Sequence, residues 1–77
     1  MLVKLRGLNQ HLKQRIRQHG DTWHVDTKLL ESHGKAMNQE LQGMFSDNQE
    51  WIPVISVKTN HHRWVAPDWN VDLTILN

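Results

Sequence analysis

The spacing of apolar residues changes part-way along this chain, and the change bounds its architecture. Leu5, Leu8, Leu12 and Ile16 recur at three- and four-residue intervals, the signature of one helical face. Leu30, Met37, Leu41 and Met44 repeat that spacing, with Phe45 at the edge of the face. From Trp51 onward β-branched and aromatic residues take over, and Val71, Leu73 and Ile75 alternate with Asp72 and Thr74. Helical periodicity followed by strand periodicity predicts an α+β fold. We expect two helices packed on one face of a small, mostly antiparallel sheet of three or four strands.

The punctuation residues set the boundaries. One domain over 1–77 is expected: a helix over about 2–18, a link or short strand over 21–26, a helix over about 27–45 and a β-meander over 51–77. Gly7 weakens the first turns, so an extended Met1–Arg6 with a later helix start is the variant reading. Gly20 is a natural stop for the first helix, and Asp26 or Thr27 a natural cap for the second. Gly34 marks either a close approach of another backbone or a helix break. Pro53 cannot donate to a ladder, which points to an edge strand or a bulge. A turn over 58–61 would join the hairpin, with Trp51 and Trp64 as a cross-strand pair. The expected core is Leu5, Leu8, Leu12, Ile16, Leu30, Met37, Leu41, Met44, Ile52, Val54, Val65, Leu73 and Ile75, with some tryptophan.

Size matters because 77 residues give one modest core. With no cysteine, neither a disulfide nor a thiolate metal site is available, and a reducing cytoplasm is the expected setting. Mean hydropathy is −0.66, and no apolar run approaches the roughly 20 residues that span a bilayer, so membrane partners are not expected. If both sheet faces are apolar the outer one must be an interface, which makes a homodimer the expected assembly.

Net charge is only +1 but unevenly placed. Lys4, Arg6, Lys13, Arg15 and Arg17 carry the first twenty residues without an acid, whereas most carboxylates fall in 21–50. Such a run meets nucleic-acid phosphates or an acidic partner by releasing counterions; it also serves as an ordinary solvated face. The four tryptophans are the second feature. Trp51, Trp64 and Trp69 form the candidate aromatic contact surface, and Trp69, between Asp68 and Asn70, is the one expected in a loop.

Catalytic and metal signatures are missing from the pattern. Six histidines show no H-E-x-x-H or H-x-x-x-H spacing, and His61 and His62 are adjacent, so they point opposite ways in a strand. No serine or threonine sits in a nucleophile elbow and no glycine-rich phosphate loop occurs. The expectation is no metal, no cofactor and no catalysis. The first functional reading is a non-catalytic binding module, a small accessory or regulatory protein acting through protein–protein contacts including self-association. The alternative is nucleic-acid binding through the basic first helix, in a winged-helix-like layout with Ala36–Phe45 as the reading element and Trp51–Ala66 as the wing.

Overall fold

The computed structural model describes residues 1–77. Seven elements follow one another: β1 (Leu2–Gly7), α1 (Gln10–His19), β2 (Thr22–Val25), α2 (Thr27–Phe45), β3 (Ile52–Ser56), β4 (His62–Val65) and β5 (Val71–Ile75). The fold is α+β, with two helices and a five-stranded antiparallel sheet ordered β4-β3-β2-β1-β5.

The fifth strand comes from the start of the chain, where a helix over 2–18 was expected. Residues 2–7 are strand because Val3, Leu5 and Gly7 alternate with Lys4 and Arg6: the first three are buried and the two cations exposed. Leu5 therefore joins the core from a strand, and Leu8, counted on the helical face, lies in the bend at 38% exposure. Asn9 then starts α1, its side-chain oxygen accepting from Leu12 N at 2.9 Å. Gly20, at φ 85°, ends it.

The expected meander is only partly present. β3 and β4 form a hairpin with Pro53 opposite Trp64, and Trp51 falls before the ladder, so the anticipated Trp51–Trp64 pair does not form. β5 leaves the hairpin and pairs with β1, Leu5 opposite Leu73 and Gly7 opposite Val71. Pro53 also sits away from the expected edge, since β3 lies between β2 and β4. The reason is local. A strand residue points its N and C=O to the same side, and Pro53 O accepts from Asp26 N at 3.0 Å. The missing donor thus faces the point where β2 has ended and α2 begins, so no ladder bond is lost.

The core is one cluster of Val3, Leu5, Leu12, Trp23, Val25, Val54, Val65 and Val71, with Ile16, Ile52 and Leu73 packed against it. α1 seats on this face through Leu12, and Gly7 lets it come close: a Cβ at Gly7 would lie 2.6 Å from the Leu12 carbonyl carbon. Trp23 is fully enclosed, its indole N–H donating to Gly20 O at 2.9 Å.

α2 is held differently. It is one unbroken helix through Gly34, its only buried residue, where a Cβ would meet the Leu30 side chain at 2.9 Å. Its expected core residues Leu30, Met37 and Leu41 are half-buried, and Met44 is 66% exposed. Ile75, also expected inside, is 60% exposed near the end of β5. α2 meets the sheet along β3, and its apolar stripe is left mostly open.

Candidate functional site

The exposed end of α2 is where the aromatic residues gather. Ser46 closes the helix in the left-handed conformation, φ 53°, and Asp47 N donates back to Gln42 O. The chain then runs to β3 under close restraint. Asp47 Oδ1 accepts from Gln49 N at 2.9 Å, and Gln42 Nε2 donates to Gln49 O at 2.7 Å. Asn38, two turns back along α2, binds both backbone groups of Trp51: its Oδ1 accepts from Trp51 N at 2.6 Å, and its Nδ2 donates to Trp51 O at 2.9 Å.

Trp51 so fixed becomes the floor of an aromatic cluster. Phe45 stacks on it with ring centroids 5.3 Å apart and planes 23° from parallel. Trp69 meets Trp51 edge-on at 5.6 Å and Phe45 at 6.4 Å. Trp69 is presented by the loop between β4 and β5. There Asn70, buried, accepts from Ala66 N at 2.9 Å, and Asp68 adopts φ 68° to turn the chain. Trp51 is buried, while Phe45 is 51% and Trp69 43% exposed. A cleft of about 420 Å³ opens beside the rings, with Leu12, Leu41 and Trp64 in its wall and His11 and Arg63 at its margin.

The three tryptophans singled out from the sequence thus come together at one cleft, with Trp51 buried against Phe45 and Trp69. Phe45, counted only as an edge residue of the helix, is a full member. Its signal was its place at the last residue of the helical pattern, next to Met44 and just before Ser46-Asp47-Asn48.

The five basic residues do not share one helix. Lys4 and Arg6 lie on β1, where Lys4 Nζ faces Asp21 at 3.8 Å and Arg6 is paired with Asp72. Lys13 and Arg17 are exposed on α1, and Arg15 is half-buried. Charge instead collects between α1 and the β3–β4 hairpin. The imidazoles of His19 and His61 stack with centroids 4.0 Å apart and planes 5° from parallel, and Trp23 meets both edge-on. His19 Nδ1 lies 2.7 Å from Thr59 Oγ1, and Ser56 Oγ donates to His19 O. Burial, then the charges of His19, Arg63, Arg15 and His62, push the His61 pKa below its ordinary value. Burial and then Arg15 push the Arg63 guanidinium down as well.

The structure gathers no group of three or more histidine, aspartate or glutamate side chains able to hold a metal ion. No helix is long and apolar enough to cross a membrane. No protein-family model, curated protein or solved structure matches the chain.

Proposed function

We propose that this chain is a non-catalytic binding module that engages an apolar segment of a partner protein, a second copy of itself included, at the cleft formed by Phe45, Trp51 and Trp69. One observation carries the reading: two half-exposed aromatic rings pack against a third, buried ring whose backbone is clamped by Asn38. Large rings already packed together before binding lose little freedom on contact, and covering the exposed half of each contributes roughly 1 kcal/mol. Tryptophan is accordingly enriched among the residues that dominate interface energy. Met44, exposed next to Phe45, and the half-buried Leu41 extend the same surface along α2. A chain without cysteine has no need of an oxidising compartment, which supports a cytoplasmic setting.

The test is selection of displayed random peptides on the immobilised chain, with binding read by tryptophan fluorescence and self-association by sedimentation. Selected peptides rich in apolar and aromatic residues, lost on Trp69→Ala and on Phe45→Ser, are the expected result. Peptides that bind the wild type and both variants equally would overturn the assignment of the surface.

A further inference from the structure

The seam between α1 and the β3–β4 hairpin collects cations that form no ion pair. Arg15 and His19 are one turn apart on α1, so they share its edge. His61 and Arg63 face that edge from the start of β4, and the stack of His19 on His61 joins the two sides. Arg15 lies close enough to influence both Arg63 and His61, and His62 adds to the same field. No carboxylate contributes to it. The chain's two carboxylate ion pairs, Lys4–Asp21 and Arg6–Asp72, lie elsewhere, on the β1 side of the sheet. Arg63 Nε is shielded from solvent and has no hydrogen-bond partner. Asp26 shares a cavity with His62 and Arg63 but is not among the charges that act on His61 or Arg63, and like charges held together oppose folding. Such a cluster is stabilised when an anion occupies it.

We propose that this seam is an oxyanion site that takes a phosphate group through Arg15 and Arg63, flanked by the stacked His19–His61 pair. Two guanidinium forks supply more charge and more donors than one carboxylate accepts, whereas a phosphate offers oxygens to both. The imidazoles are already oriented, His19 by Thr59 and by the Ser56 bond to its carbonyl. The site shares Arg63 with the margin of the aromatic cleft, but the cleft is lined by neither Arg15, His19 nor His61.

The probe is inorganic phosphate, titrated into the chain at constant ionic strength with chloride as the reference anion, and followed by NMR of the histidine ring protons. Saturable shifts confined to His19, His61 and their neighbours are expected. Arg15→Gln and Arg63→Gln should each weaken binding by about tenfold, and Lys28→Gln, at an exposed position of α2, should leave it unchanged. Bound phosphate should raise the His61 pKa toward its ordinary value, against the lowering by burial and by the charges of His19, Arg63, Arg15 and His62, with Lys58 a further cation beside Gly20. A parallel titration with oligothymidylate separates two sources of the group. Binding much tighter than that of inorganic phosphate, at the same residues, assigns a nucleic-acid backbone; equal or weaker binding assigns a free phosphate group. Shifts reproduced by chloride, or binding that survives both arginine substitutions in variants with wild-type circular dichroism, would overturn the site. His61→Asn provides a second variant should an arginine change unfold the chain.

Discussion

Asn38 satisfies both backbone groups of Trp51, accepting from its N–H and donating to its carbonyl, and so ties the middle of α2 to the start of β3. α2 buries only Gly34, so this polar clamp does work that apolar packing does elsewhere in the fold. Replacing Asn38 by Ala leaves a partly buried N–H and C=O unpaired. The expected cost is about 2–3 kcal/mol in urea unfolding, with a change in the near-ultraviolet circular dichroism of the tryptophans. Asn38→Asp keeps the acceptor and loses the donor, and should fall between.

The close seat of α1 on β1 depends on Gly7. A methyl group there would press on the backbone at Leu12 and Lys13, which cannot swing aside as a side-chain tip can. Gly7→Ala should destabilise by about 2 kcal/mol or more, through displacement of the helix. Gly43 is the internal control: nothing lies within 4 Å of a Cβ placed on it in α2. Gly43→Ala should stabilise by up to about 1 kcal/mol, since alanine is the better helix former.

The loop that presents Trp69 is pinned by Asn70, whose side chain accepts from Ala66 N and whose carbonyl accepts from Leu8 N at 3.0 Å. Asn70→Leu removes the first bond and leaves a buried amide unpaired. Stability should fall by about 1–3 kcal/mol. The Trp69 fluorescence should also become more mobile in anisotropy decay, while Trp23, enclosed in the core, reports no change.

The depressed pKa of His61 has a sign that can be read in solution. Burial acts first and the charges of His19, Arg63, Arg15 and His62 follow. A base with a lowered folded pKa is protonated more readily in the unfolded chain, where its value is about 6.5. Its contribution is therefore intact above that pH and lost progressively as pH falls from there toward the lower folded value. Wild type should lose more thermal stability than His61→Asn on going from about pH 7.5 to about pH 5. Equal losses would remove His61 from the account.

The sequence carried the α+β class and α2 almost to its limits, because the Leu30–Met37–Leu41–Met44 spacing and the Asp26 cap act locally. It carried β1 only through the variant reading that Gly7 raises, an extended Met1–Arg6 with a later helix start, and not through the apolar spacing. Leu5, Leu8, Leu12 and Ile16 satisfy a helical period, and only pairing with β2 and β5, both distant along the chain, draws Leu5 into a strand. Pro53 misled for the same kind of reason: its tolerance on an inner strand depends on where β2 stops. The tryptophan cleft was legible as composition but not as geometry, since the places of Trp51 and Trp69 depend on Asn38 and Asn70, whose roles have no local signature. The histidine–arginine seam needed the β3–β4 register, which brings His61 and Arg63 under α1; the four-residue step from Arg15 to His19 was visible, but what it faced was not.

The pairing of β1 with β5 couples the two ends of this sequence. Leu76 N donates to Leu2 O at 2.9 Å, and Leu2 N to the Asn77 side chain at 2.8 Å. β1, the first of the seven elements, acquires its second neighbour from the last of them. The sheet therefore stays open along β1 until β5 is in place, so its completion needs a contact between segments distant in the chain, the kind of pairing that slows folding.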